Sequence, residues 1–228
     1  MVYSIGRKSP YDTDPVNEVI GGEAAWANLQ FQNPETVDRL AKIPGRMPLG
    51  QGYPIAADSG PRSFLWKSTS KSPPDYAFGN NSVMLISSRF RDLVEQYEPS
   101  VHQFLPVEMY NSKAATEAFD RFYWFVCCTL IDSLDPEHTT LTWRGEYDVR
   151  IEHDLRRGFW KFDHDASPPQ RPVYSLNAIG SRHLWRDPYY NRNHVKCSDT
   201  FGNALIDAGL TGFGLLHYEQ GWSLTAIT

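Results

Sequence analysis

The chain has 228 residues, 41% of them hydrophobic and 14% aromatic, with a formal charge of -5 from 22 basic and 27 acidic side chains. That much apolar surface excludes a disordered chain, and the acidic balance disfavours a general binder of nucleic acid or anionic membrane while pointing to a basic partner. No apolar run approaches the ~20 residues that a bilayer crossing needs, residues 1–6 lack the order of a secretion signal, and three cysteines do not make a disulfide framework, so a protein of the reducing cytoplasm is expected.

Residues 1–80 are rich in turns, and proline-bearing stretches separate apolar pieces such as 24–31 and 64–66. The expectation is short strands and a minor helix laid over a core made by residues 81–228, or one compact domain overall. The pattern sharpens at Val83-Met84-Leu85-Ile86, which reads as a buried strand. Ser87 or Ser88 then caps a helix whose apolar residues Phe90, Leu93, Val94 and Tyr97 share one face, and Pro99 lies past its end. Phe104-Leu105-Pro106-Val107 resumes an extended course, and 111–120 is expected to form a short helix.

The stretch 122–131 is aromatic and β-branched, which predicts a central strand closed by Asp132, Asp135 and Pro136. Another strand is expected over 139–143, with a turn at Arg144-Gly145-Glu146 and a charged block after it. Val173-Tyr174-Ser175-Leu176 resembles a strand. Val195-Lys196-Cys197 leads into Ser198-Asp199 and a helix with Phe201, Ala204, Leu205 and Ala208 on one side. Gly209 stops that helix, and 212–218 reads as the final strand.

Two of these units correspond. Displaced by 111 positions, Ser87 falls on Ser198, Phe90 on Phe201, Val94 on Leu205 and Phe104 on Leu215. Duplication and the plain economy of capping an amphipathic helix after a strand both explain this. Either way the predicted class is α+β, a mixed or antiparallel sheet packed with a few helices.

The chemistry-bearing residues make no convincing catalytic set. His153-Asp154 and Asp163-His164-Asp165 carry metal-ligand types, but without any zinc or calcium spacing, and an exposed loop is the better reading. Cys127 and Cys128 sit in an apolar run that favours neutral thiols, while Cys197, beside Lys196 and a helix start, is the better candidate for a depressed pKa. Gly209-Leu210-Thr211-Gly212-Phe213-Gly214 follows a helix instead of opening one, the reverse of a nucleotide loop. No catalytic residue, metal or cofactor is therefore assigned. Tryptophans beside charge, at Trp66, Trp143, Trp160 and Trp185, are read first as core or half-core residues and second as interface anchors.

The segments 83–90, 104–107, 130–135, 173–176, 195–199 and 204–213, the last ending Ala-Gly-Leu-Thr-Gly-Phe, resemble in their order the Imm11 family of immunity proteins of bacterial polymorphic toxin systems. That resemblance implies a non-catalytic inhibitor retained in the producing cell, which binds a cognate protein toxin and masks its active site or another required surface. It implies a scaffold and transfers no site residue. From polarity beside aromatics, the interface candidates are Asp132, Asp135, Glu146, Asp148, Glu152, Asp154, Trp160, Asp163 and Asp165. The alternatives are a regulatory or structural interaction module and, third, an enzyme using the 163–165 region. Monomer and symmetric dimer both remain open.

Overall fold

A computed structural model describes residues 2–6, 18–21, 25–33, 52–66, 72–78, 83–111, 114–145, 158–163, 165–191, 194–217 and 223–226. A six-stranded sheet has the order β2 (Glu18–Val19), β3 (Ser63–Trp66), β6 (Gln103–Asn111), β7 (Ala114–Val126), β5 (Met84–Ser87), β4 (Tyr76–Phe78), antiparallel except for the β3–β6 pair. A five-stranded antiparallel sheet has the order β10 (Leu184–Arg186), β11 (Val195–Ser198), β1 (Val2–Gly6), β12 (Gly214–His217), β13 (Ser223–Ala226). β8 (Thr142–Arg144) and β9 (Phe159–Lys161) form a separate two-stranded ribbon. Helices α1 (Ser88–Tyr97), short α2 (Leu176–Ile179) and α3 (Asp199–Asp207) complete an α+β fold.

The continuous apolar run of β5 is explained by two covered faces. Met84 and Ile86 point into a core with Phe90, Val94, Phe201 and Leu205, whereas Leu85 points to the other side with Phe64, Leu105 and Trp124. Strand residues alternate faces, so an unbroken apolar stretch means that neither face meets water. The first face is covered by α1 and α3, which pack against each other. The second is covered by earlier chain: Ile55 is buried there, and Trp26 sets its ring edge-on to Trp124 at 6.0 Å.

The correspondence across 111 positions extends into three dimensions. β5 and β6 run parallel with β7 between them, and β11 and β12 run parallel with β1 between them. The registers coincide as well. Ile86 pairs with Tyr123 and Cys197 with Tyr3, while Phe104 pairs with Phe125 and Leu215 with Ile5. Both helices start alike: the Ser87 hydroxyl accepts from the Phe90 N–H at 3.3 Å and the Ser198 hydroxyl from the Phe201 N–H at 3.2 Å. Each cap satisfies an amide the helix cannot reach, which is why serine stands at both strand ends.

Several expectations change. Residues 2–6 do not lie over a core but form the middle strand of the five-stranded sheet, with Ser4 and Ile5 buried. Residues 114–120 are strand, not helix, because β7 turns back on β6 and Phe119 and Ala118 take partners in Met109 and Tyr110. Sheet pairing overrides local preference there. The strand expected over 122–131 ends at Val126, and the chain then crosses to the edge of the other sheet, where Leu130 bridges Arg186. Only Tyr174 of 173–176 bridges, to Leu134, and Leu176 starts α2 under a Ser175 cap. β12 is not the last strand, since β13 pairs along its edge.

Gly209 (φ +58) ends α3 in the left-handed conformation, as expected of a helix stop, and Gly212 (φ +90) turns the chain into β12. A Cβ on Gly212 would fall 2.2 Å from the Tyr76 carbonyl oxygen. Gly212→Ala is expected to lower stability by at least ~1–3 kcal/mol, read as a lower urea midpoint at unchanged slope. An unchanged midpoint would contradict this close approach.

Candidate functional site

The buried polar groups first join the two units. Asp75 and His183 occupy equivalent places, one residue before β4 and β10. The Ser87 N–H donates to the Asp75 carbonyl (2.9 Å) and its hydroxyl to Asp75 Oδ1 (2.7 Å); the Ser198 N–H donates to the His183 carbonyl (3.0 Å), and its Oγ lies 2.8 Å from His183 Nδ1. Each residue then reaches the loop after the opposite helix. Asp75 Oδ2 accepts from the Thr211 N–H (3.0 Å) and hydroxyl (3.2 Å), beyond α3, and the His183 N–H donates to Glu98 Oε1 (2.6 Å), beyond α1. Arg89 adds an ion pair to Asp75 at 3.3 Å and a hydrogen bond to the Ala208 carbonyl at 2.8 Å.

Glu98 is itself buried against His102, with Oε2 and Nε2 2.5 Å apart. His102 Nδ1 accepts from the Cys128 N–H (3.2 Å), which leaves Nε2 as the protonated nitrogen facing the carboxylate. Burial pushes the Glu98 carboxyl up, but the hydrogen bonds from His102 and from the His183 and Leu184 amides outweigh it and hold the pKa below the ordinary value. This pair has the composition of a catalytic dyad. Its chemistry is structural, because both side chains are covered and their remaining bonds go to backbone.

A second group surrounds Lys196. Asp187 is buried, and its carboxylate accepts from the Ser133 N–H and hydroxyl and from the Tyr189 and Tyr190 N–H groups. Burial pushes the Asp187 pKa up, those bonds opposing. It pushes Lys196 down to about 7, and together with the neighbouring Lys196 and Arg186 cations it holds His194 down at about 4. His194 was not singled out in the sequence, and Lys196 entered it only as the neighbour of Cys197.

Burial raises the pKa of all three cysteines, that of Cys127 to about 12. The expected depression of the Cys197 pKa by Lys196 is outweighed: burial in the helix-covered core first, and then Asp199, raise it more than Lys196 lowers it. Among the described residues, no group of three His, Cys, Asp or Glu side chains is placed to hold a metal, and no helix is long and apolar enough to cross a membrane.

Trp160, Asp163 and Asp165 lie on or just after β9, whereas Asp132 and Asp135 lie on the segment after β7, whose Leu134 shares a small buried cluster with Trp160. Asp135 Oδ1 accepts from the Glu137 and His138 N–H groups, closing a turn, and Oδ2 lies 2.8 Å from His138 Nδ1; that hydrogen bond first, and the turn amides, hold its pKa below the usual range. Asp132 is half-buried just before it. Trp160 sits on β9 with its ring edge-on to Trp143 at 5.1 Å. Asp163 and Asp165 are exposed in the following turn, where the Asp165 N–H donates to Asp163 Oδ1 (3.1 Å). Gln170 ties this turn to β8: its Oε1 accepts from the Asp163 N–H, and its Nε2 donates to Thr142. Glu146, Asp148, Glu152 and Asp154, like His153 and His164, lie outside the described residues.

A model of the Imm11 immunity protein family matches residues 22–220. The chain belongs to that family. No curated protein matches it. Within this Imm11 chain the phrases that carried the resemblance are the ones that build the junction. Residues 84–90 and 195–199 are the two strand–cap–helix starts, and in 204–213 Thr211 grips Asp75 while Phe213 stands edge-on to Phe90 at 6.3 Å. These segments define scaffold. The β8–β9 ribbon of the Imm11 chain presents half-buried Trp143 and Trp160 and exposed Phe159 (41%) beside exposed charge.

Proposed function

We propose that this protein is a non-catalytic immunity protein that acts in the cytoplasm of the producing cell, binding a cognate toxin and covering its active site or another surface the toxin needs. The observation that carries the reading is the immunity-family match over most of the chain. The buried ionisable groups support it, since Glu98, His102, Asp187 and Lys196 are all engaged in internal hydrogen bonds. The net charge of -5 favours encounter with a basic toxin.

The contact surface in this reading is the β8–β9 lobe, with Trp160 as anchor, Asp132, Asp135, Asp163 and Asp165 around it, and the 146–154 block contributing Glu146, Asp148, Glu152 and Asp154. A rigid indole beside charge buries a large area at small entropic cost. Co-expression with the product of the neighbouring gene is expected to give a stoichiometric complex and to abolish toxicity. Trp160→Ala is expected to weaken that complex by ~30-fold or more, the effect of losing ~2 kcal/mol at an anchor. Persistent toxicity without a complex would overturn the assignment, and full affinity in the variant would move the surface elsewhere.

A further inference from the structure

The connection between β10 and β11 is held at both ends by buried charge. Asp187 fixes its start through four hydrogen bonds from neutral donors. At its end Lys196, fully buried, donates from Nζ to the Asn191 carbonyl at 3.1 Å and the His194 carbonyl at 3.4 Å, and stands 5.6 Å from the centre of the Tyr190 ring. The ribbon rests on this connection. The Trp160 N–H donates to the Tyr189 carbonyl at 2.8 Å, Trp143 packs its ring 5.7 Å from that of Tyr189, and Tyr190 is buried with Leu134, Leu141, Trp160 and Phe162.

A buried cation is costly, and an apolar side chain of similar volume would fill the same space without that cost. What lysine adds is a directed grip on two carbonyls. We propose that Lys196 is the positioning residue of the β8–β9 surface: by holding the Asn191 and His194 carbonyls, it fixes Tyr189 and Tyr190 and so the orientation in which Trp143 and Trp160 are presented to a protein partner. The partner half of this statement rests on the reading above, whereas the link from Lys196 to the ribbon is a property of the free protein.

The groups near Lys196 are Asp187, which favours its charge, Arg186, which opposes it, the thiols of Cys197 and Cys127, and His194, which is neutral where Lys196 titrates because its own pKa is pushed down to about 4. With its pKa near 7 instead of 10.5, raising the pH through neutrality removes the ammonium charge in the folded state but not in the unfolded chain. Two consequences of opposite sign follow. The unfolded chain keeps the proton longer, so this group's contribution to global stability rises between about 7 and 10.5. Over the same interval the grip on the carbonyls weakens, because a charge-assisted hydrogen bond becomes a neutral one.

Amide hydrogen exchange in the free, full-length protein reads both. Corrected for intrinsic rate, protection at Trp160 is expected to fall by ~10-fold between about pH 6 and about pH 9, while protection at Val94 in α1 does not fall. Lys196→Met is expected to show the lower Trp160 protection already at the acidic end, with no further pH dependence. Unchanged Trp160 protection in the variant overturns the proposal. So does an equal loss at Trp160 and Val94, which would mark general destabilisation. Failure of the wild-type protein to bind any toxin would overturn the proposed function and leave this coupling standing.

Discussion

Excising Val2–Gly6 is expected to abolish the cooperative unfolding transition of the whole molecule. β1 lies between β11 and β12 and pairs with both, so its loss leaves two strands without a partner on their inner edges. It also removes Ile5 from the core and opens the place where Gly202 of α3 packs so close to Tyr3 that a Cβ there would fall 2.9 Å from the ring. Burial of Val2 and Ile5 is worth ~1.5–3 kcal/mol for each side chain, before the ladder is counted, against a total of ~5–15 kcal/mol for a typical domain. Circular dichroism during heating should show a broad, weak transition. A sharp one near the native midpoint would mean that the five-stranded sheet closes without β1.

Phe90→Ala and Phe201→Ala are each expected to cost ~3–5 kcal/mol. Both side chains are fully buried in one cluster: Phe90 meets Tyr76, Phe125 and Phe213, and Phe201 meets Tyr97 of the other unit's helix at 5.4 Å. Because the core is continuous across both sheets, the double variant should depart from additivity by ~0.5–3 kcal/mol, as residues sharing a core do. Urea unfolding of the single and double variants supplies the measurement. Strict additivity would mean that Phe90 and Phe201 are not coupled through the core, and two separate transitions that the two units unfold independently.

The elements legible beforehand were those whose cause is local. Ser87 and Ser198 announce caps because a hydroxyl before an apolar periodic stretch has a free amide within reach, and Phe90, Val94, Phe201 and Leu205 announce buried faces because a helix brings such positions together. The misread segments were those whose state depends on a distant partner. Residues 114–120 have the composition of a helix and become strand because β6 offers them a ladder.

Nothing in the local sequence around the interface candidates said that Asp135 closes a turn or that the ribbon carrying Trp160 stands on Tyr189. Lys196 was read only as a neighbour of Cys197, because its burial follows from what folds over the sheet instead of from its neighbours in the chain.

The amino-acid sequence alone determined the class of the fold, the two strand–serine–helix–strand units, and their caps and stops. Each of these depends on forces acting within about ten residues. Only the tertiary structure decided that β1 fills in one unit the place that β7 fills in the other, and that each unit's edge strand grips the loop after its partner's helix. A short strand carries no mark of which distant edge it will join; that choice is made by the register that buries both of its faces at once.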